Sequence, residues 1–215
     1  MLQEKAEQIP SPILNVQGLS CERNDRLLFQ HLDFELRPHQ VLLVEGRNGS
    51  GKTSLLKILC GIRLADDGEV SWCGESIQRL GGEYTHQLAY VGHTDGIKLE
   101  LSVAENLNMA RAMGRPANVS IDTVLEQLKL SAHHDDMCRM LSAGQRRRVA
   151  LGRLLITQAP LWILDEPFTS LDTQGVAFCE ALIEQHITSG GMVVMTSHHA
   201  VNLDNQYVQR INLST

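Results

Sequence analysis

The chain has 215 residues, which is enough for one large domain with a full hydrophobic core. Its formal charge of −6 disfavours a nucleic-acid partner, because binding to phosphate backbones depends on clustered Lys and Arg. No segment reaches the roughly 18 consecutive apolar residues of a membrane span, and residues 1–12 are too polar for a secretion signal, so we expect a soluble cytosolic protein. The cysteines are scattered without a C-x-x-C pair, which indicates reduced thiols (Cys21, Cys60, Cys73, Cys138, Cys179).

The first part of the chain alternates between apolar and polar residues. Residues 13–19 and 28–36 show this alternation on either side of a turn at residues 24–26, which predicts an antiparallel hairpin. The apolar run at residues 41–44 predicts a buried strand, and the helix after it should end at Gly61. Further strands are predicted at residues 69–72 and 88–91.

The segment after residues 41–44 fits the pattern G-x-x-x-x-G-K-[ST] and leads into a helix-forming stretch. Its glycines let backbone N–H groups turn inward, and the positive end of the helix dipole favours a phosphate there. We expect Lys52 to contact the β- and γ-phosphates of a nucleoside triphosphate, and the Thr53 hydroxyl to ligate Mg²⁺. The predicted binding loop consists of Gly46, Arg47, Asn48, Gly49, Ser50, Gly51, Lys52 and Thr53.

From residue 94 to about residue 140 the apolar spacing becomes helical. We therefore expect one domain, 1–215, in which a helical lobe (94–140) separates two parts of a nucleotide-binding core, 1–93 and 141–215. Ser102 opens a helix to Gly114 with a capping box, and Ser120 caps a second helix through Leu130.

Two polar clusters are predicted to lie on the surface. His133 and His134 make a poor metal pair because adjacent side chains diverge, so we expect them to be solvated. The run Arg146, Arg147 and Arg148 is predicted to be the solvated face of a helix rather than a nucleic-acid patch.

The last third of the chain alternates between strands and helices. Ser142 and Gln145 form a second capping box for a helix through Ile156, and Asp172 caps a helix to about Ile187. Apolar runs at residues 161–165 and 192–196 predict buried strands. This order indicates an α/β fold with a mostly parallel sheet and an antiparallel β portion.

Two adjacent carboxylates follow the strand at residues 161–165. Asp165 ends the strand at the edge where α/β sheets bind ligands, so we predict that it ligates Mg²⁺. Glu166 should point the other way along an extended chain and orient or deprotonate the attacking water.

With these residues in view, the chain resembles the ATP-binding cassette (ABC) family of ATPases over nearly its whole length. Residues 141–145 are similar to the signature loop of the family, residues 170–172 to its D-loop, and His198 to its switch histidine. The resemblance implies the ABC ATPase fold, with a phosphate-loop NTPase core and a helical lobe. It also implies a homodimer, in which each ATP lies between the phosphate loop of one chain and Ser142, Gly144 and Gln145 of the other.

Two positions depart from the common family pattern. His93 stands where most members have a glutamine that senses Mg²⁺ and the attacking water, and Arg23 stands where most have an aromatic residue on adenine. A guanidinium plane also stacks on a base, so Arg23 is compatible with adenine binding. The resemblance makes His93 and His198 candidates for catalysis beside Glu166.

The chain also resembles the haem exporter ATPases of cytochrome c maturation, at residues 21–23, 28–29, 91–93, 96–98, 141–149 and 162–169. This implies an ATP-hydrolysing subunit on the cytoplasmic face of the inner membrane that works with an integral membrane permease and does not itself bind haem. The helical lobe would contact the permease, with Leu99 and Leu101 as candidates that are equally compatible with a core position. Two alternatives stay open: a transporter ATPase for another lipophilic substrate, and a soluble ABC clamp of translation or DNA repair.

Overall fold

The structure is a computed structural model and describes residues 12–198 and 201–214. Its helices and strands, in chain order, are β1 (Leu14–Arg23), β2 (Arg26–Leu36), β3 (Val41–Glu45), α1 (Lys52–Leu59), β4 (Asp67–Trp72), β5 (Glu75–Ser76), α2 (Ile77–Leu80), α3 (Gly82–Thr85), β6 (Leu88–Val91), α4 (Val103–Met113), α5 (Ile121–Gln127), α6 (Ala143–Leu155), β7 (Leu161–Asp165), α7 (Thr173–Thr188), β8 (Met192–Thr196) and β9 (Val208–Asn212). Both the parallel and the antiparallel β portions that we predicted are present, so the α/β fold class is confirmed.

The central sheet has five parallel strands in the order β6-β7-β8-β3-β9. Because all five run in the same direction, the loops after β3, β6, β7 and β8 leave the sheet at one edge. These four loops carry the predicted phosphate loop, His93, Glu166 and His198. Strand β9 was not predicted, since it lies at the sheet edge and no residue in it is buried.

The second sheet is antiparallel, with the order β2-β1-β4-β5. The predicted hairpin is confirmed, and its tight turn places Asn24 and Asp25 at φ values of 51° and 56°, as expected for a two-residue hairpin turn. Strand β1 extends beyond the predicted residue 19, because register shifts between Val16 and Cys21 let it continue past Gly18.

The predicted capping boxes of α4 and α6 are both present, with reciprocal bonds between Ser102 and Glu105 and between Ser142 and Gln145. Helix α5 ends at Gln127, three residues before the predicted end. It stops because Lys129 adopts a left-handed φ of 57° and the Leu130 N–H bonds to the Leu125 carbonyl.

Three apolar clusters form the core. One lies between the antiparallel sheet, α1 and the central sheet, and a second lies between the central sheet and α6 and α7. The third joins α4 and α5 to α6, where Leu107, Val124 and Val149 are fully buried. Helix α6 thus packs both on the predicted helical lobe and on the central sheet. Because α6 contacts both parts, the lobe boundary at residue 140 stays a prediction.

Within residues 12–198 and 201–214, no helix combines the length and apolar character that crossing a membrane requires. All five cysteines lie in the described residues, where none of them forms a disulfide. Burial raises the pKa of the Cys179 thiol to about 12.

The partly buried His186 on α7 makes stability depend on pH. Its ring stacks on Trp162, with ring centroids 3.8 Å apart and an interplanar angle of 6°. Desolvation lowers the pKa of His186 from 6.5 to about 4. The unfolded chain therefore takes up a proton more readily, so stability is complete above about pH 6.5 and falls as the pH drops toward 4.

We predict that the free energy of unfolding falls with pH more steeply in the natural chain than in His186→Phe, which keeps the stack on Trp162 but does not titrate. The excess loss should be about 2 kcal/mol between about pH 7.5 and about pH 5, measured by urea unfolding. The exposed His86 provides the control: His86→Gln should keep the natural pH dependence. An unchanged pH dependence in His186→Phe would contradict this assignment.

Candidate functional site

Two glycines give the predicted phosphate loop its shape. Gly46 and Gly51 have φ values of 146° and 103°, in the left-handed region that side chains disfavour. A Cβ at Gly46 would lie 2.5 Å from Ser50 Oγ, and one at Gly51 would lie 2.9 Å from Leu28 Cβ. Gly51 is also the N-cap of α1 and has no side chain with which to cap the helix. The N–H groups of the first helical turn are therefore left for an anion.

Lys52 is the first residue of α1, and its side chain folds back over the loop. Its Nζ donates a 2.7 Å hydrogen bond to the Gly46 carbonyl and lies 3.4 Å from the Arg47 carbonyl oxygen. On the other side, the Arg47 N–H donates to Ser214 Oγ at 2.7 Å. The ammonium group is thus held against the loop, where a phosphate would need it.

Asp165, at the end of β7, is 2% exposed, and each of its oxygens accepts a hydrogen bond. The Thr53 hydroxyl donates to Oδ2 at 2.8 Å, and the Thr196 hydroxyl donates to Oδ1 at 2.8 Å. The strand and the start of α1 therefore meet at one carboxylate. Thr53 and Asp165 supply the hard oxygen atoms that Mg²⁺ prefers.

Glu166 follows in a sharp turn rather than the extended conformation that we predicted, with a φ of 52°. Its N–H donates to Thr196 Oγ1 at 2.9 Å, and its Oε2 accepts from the His198 N–H at 3.1 Å. His198 Nε2 lies 3.4 Å from Oε1. This Oε1 is buried and accepts no hydrogen bond from any described residue, so it has a lone pair available for a water molecule.

These groups line one pocket of about 700 Å³. The predicted site residues among its lining are Arg23, Asn48, Gly49, Gly51, Lys52, Thr53, His93, Asp165, Glu166 and His198. Arg23 lies at the hairpin end opposite its cross-strand partner Arg26, which also lines the pocket and was not predicted. The predicted loop residues Gly46, Arg47 and Ser50 are not among the residues that line this pocket.

The predicted signature residues lie elsewhere. Ser142, Gly144 and Gln145 line a separate depression of about 380 Å³ that they share with residues 170–172. A Cβ at Gly144 would lie 3.0 Å from the Ser170 carbonyl oxygen, so the two loops pack closely. A single chain therefore does not bring its signature loop to its own phosphate-loop pocket.

His133 is less solvated than we predicted. Its side chain is 32% exposed, its Nε2 lies 2.8 Å from Gln145 Nε2, and its Nδ1 lies 2.7 Å from Asp136 Oδ2. It therefore supports the Gln145 side chain, whose Oε1 accepts the Ser142 N–H. Its neighbour His134 has a side chain that is 42% exposed.

The prediction of a solvated arginine run is wrong for Arg147, whose side chain is 2% exposed. Helical periodicity could have predicted its burial, because Arg147 lies on the same face of α6 as Leu151 and Leu154, which are both buried. Arg148 instead pairs with Asp172 at 3.1 Å.

A family model described as ABC transporter matches residues 29–169, which is more than half of the chain. The chain belongs to this family. It is thus an ATP-binding protein and an ATPase of the ABC transporter family, and the resemblance read from its motifs is confirmed.

The chain is also similar to curated relatives over almost their whole length. It is 48% identical to the cytochrome c biogenesis ATP-binding export protein CcmA of Methylococcus capsulatus, over 94% of this chain and 98% of that protein. It is 43% identical to the CcmA of Nitrosomonas europaea, over 95% of this chain and 98% of the relative.

Solved structures support the fold. An ATP-binding subunit of an ABC transporter superposes with a TM-score of 0.81 at 21% identity, covering 94% of this chain and 86% of the other. A putative ABC transporter ATP-binding protein from Pyrococcus furiosus gives a TM-score of 0.79 at 21% identity, with 94% and 97% covered. The ABC ATPase fold that the motifs implied is therefore confirmed.

Proposed function

We propose that this chain is the ATP-hydrolysing subunit of a transporter complex that serves cytochrome c biogenesis. ATP hydrolysis is supported by the pocket that Lys52, Asp165 and Glu166 line together. The biological part is supported by relatives that are 39–48% identical and are named cytochrome c biogenesis ATP-binding export proteins.

In this proposal the phosphates of ATP lie over residues 46–53 and the first turn of α1. Lys52 balances the charge of the β- and γ-phosphates. Thr53 and Asp165 would hold Mg²⁺, which would neutralise further phosphate charge when bound. At the hairpin end of the pocket, the exposed guanidinium of Arg23 stacks on adenine.

Hydrolysis places a water molecule between the γ-phosphate and the available Oε1 of Glu166. As the water oxygen attacks phosphorus, its proton passes to the carboxylate, and ADP leaves with the β-γ bridging oxygen. His198 and His93 line the same pocket, so each is placed to donate a hydrogen bond to the γ-phosphate or its water.

The exposed signature loop suggests how the site is completed. Ser142 is exposed at the N-terminus of α6, a helix end suited to an anion, yet it lies outside the pocket of its own chain. We therefore propose a homodimer in which Ser142, Gly144 and Gln145 of one chain close the nucleotide pocket of the other.

The proposed membrane partner is an integral permease, which would place this chain peripherally at the cytoplasmic face of the inner membrane. A cleft of about 470 Å³ lies beside the helical lobe and is lined by Lys98, Met109, Met113 and Arg153, among others. The exposed Met113 adds apolar surface at this cleft. Leu99, next to Lys98, is 43% exposed, so it is accessible to a partner, whereas Leu101 is partly buried.

Two observations bear on the alternatives. The names of the relatives favour cytochrome c biogenesis over another lipophilic substrate and over a soluble clamp. The exposed apolar residues beside the lobe also favour a protein partner. Co-sedimentation with ribosomes in place of membranes would support the clamp.

We predict that Glu166→Gln, which keeps the shape of the side chain but removes the base, lowers ATP turnover by about 10² or more while ATP still binds. In cells whose only copy carries this variant, haem staining should show loss of c-type cytochromes. The exposed Glu184 on α7 provides the control, and Glu184→Gln should behave as the natural chain. Near-natural turnover in Glu166→Gln would show that Glu166 is not the base.

We also predict that Leu99→Glu abolishes co-purification with the membrane subunit, because it places a charge on the proposed docking surface. Basal ATPase activity and thermal stability should stay intact, because Leu99 is 43% exposed. Leu64→Glu is the matched control, since Leu64 is 70% exposed and lies outside the helical lobe. A drop in thermal stability would assign Leu99 to the core. Retained co-purification would place the docking surface elsewhere.

A further inference from the structure

Arg147 on α6 is a buried cation that contacts both loops flanking the nucleotide pocket. Toward the Glu166 turn, its Nη2 donates to the carbonyls of Glu166 at 2.6 Å and Asp165 at 3.2 Å, and its Nε donates to the Pro167 carbonyl at 3.1 Å. Toward the loop after β6, its Nη1 donates to the Gly92 carbonyl at 2.8 Å.

The hydrogen bond from Arg147 to the Glu166 carbonyl helps to hold Glu166 in a strained backbone conformation. A φ of 52° is disfavoured for a residue with a side chain, and such conformations persist only where neighbouring groups hold them. Thr196 Oγ1 accepts the Glu166 N–H, and Arg147 Nη2 donates to the Glu166 carbonyl. The Thr169 N–H also donates to this carbonyl at 3.2 Å. Arg147 therefore helps to fix the direction of the Glu166 carboxylate.

The second contact holds the loop that carries His93. Besides the Gly92 carbonyl, Arg147 Nη1 lies 3.3 Å from Asp95 Oδ1. Arg153, six residues further along α6, donates to the Asp95 carbonyl at 3.2 Å. The loop with His93 is thus attached to α6 at two points.

Helix α6 begins directly after Ser142, and Arg147 lies five residues beyond this N-cap. The capping box, supported by His133, fixes the start of the helix, so Ser142 and Arg147 belong to one rigid element. A displacement of the signature loop would move the guanidinium, and with it the carbonyls that it binds.

We propose that Arg147 is a positioning residue that makes the orientation of Glu166 depend on the position of α6, the helix that begins in the signature loop. Its planar fork is suited to this role, because it holds several carbonyls at fixed angles while its charge is balanced by Asp95. The proposal rests on the proposed hydrolysis by Glu166. In this arrangement a contact at the signature loop would change the orientation of Glu166, and thereby the position of the attacking water. Arg147 itself would not contact the ligand.

The test compares the ATPase kinetics of full-length Arg147→Gln and Arg147→Lys with those of the natural chain. Arg147 is not among the residues that line the nucleotide pocket, so KM for ATP should stay within about threefold while kcat falls at least about tenfold in Arg147→Gln. Arg147→Lys keeps the positive charge beside Asp95, so we expect this variant to fold, but its ammonium group lacks the planar fork. Its kcat should still fall at least about fivefold.

Two further measurements separate positioning from a loss of packing. In a Glu166→Gln background, adding Arg147→Gln should change the single-turnover rate less than about twofold, because both changes act through one carboxylate. Arg111→Gln is the matched control, since Arg111 donates to the Val119 carbonyl in the helical lobe and lies away from the pocket. Its kcat should equal that of the natural chain.

The proposal is overturned if Arg147→Lys keeps full kcat, if the Arg147 variants raise KM as much as they lower kcat, or if the effects of Arg147→Gln and Glu166→Gln multiply. A natural chain that does not hydrolyse ATP would instead refute the proposed function. An active natural chain whose Arg147 variants match Arg111→Gln would refute only the role of Arg147.

Discussion

The buried carboxylate of Asp165 is the point on which the geometry of the site depends. A carboxylate that is 2% exposed is costly to bury unless hydrogen bonds satisfy its oxygens, and Asp165 meets this requirement with the hydroxyls of Thr53 and Thr196. Thr53 is the second residue of α1, and Thr196 ends the neighbouring strand β8. One side chain thus aligns the phosphate-binding element with the centre of the sheet.

Thr196 also holds Glu166, the residue that follows Asp165. Its hydroxyl donates to Asp165 and accepts the Glu166 N–H, so one oxygen atom serves the predicted metal ligand and the predicted base. Arg147 then holds the other side of the Glu166 peptide group. The backbone turns sharply at Glu166, and the two carboxylates have different partners, Thr53 and Thr196 for Asp165 and His198 for Glu166. This separation fits the separate roles that we propose for them.

Much of the fold could be predicted from the sequence, because its signals are local. The strands at β3, β7 and β8 are continuous apolar runs, and the capping boxes at Ser102 and Ser142 mark where α4 and α6 begin. The phosphate loop was predicted for the same reason, since its glycine pattern lies between a strand and a helix. Strand β9 was missed because an edge strand with no buried residue lacks that apolar signal.

Contacts between distant segments could not be predicted in this way. Thr196 and Arg147 meet their partners 31 and 18 residues away along the chain, and no local pattern shows which polar group will be buried against which. The support that His133 gives to Gln145 was missed for the same reason, because adjacent histidines in a polar stretch resemble solvated surface. The left-handed turn at Glu166 also depends on these tertiary contacts.

The central claim is that a working site needs the phosphate loop of one chain and the signature loop of another. It is tested most directly by mixing two inactive variants, Lys52→Ala and Ser142→Arg, and measuring ATP hydrolysis. In a mixed dimer one of the two composite sites carries neither lesion, so the account predicts that part of the natural turnover returns, while each variant alone stays inactive. A mixture as inactive as its components, although light scattering shows that mixed dimers form, would contradict the account.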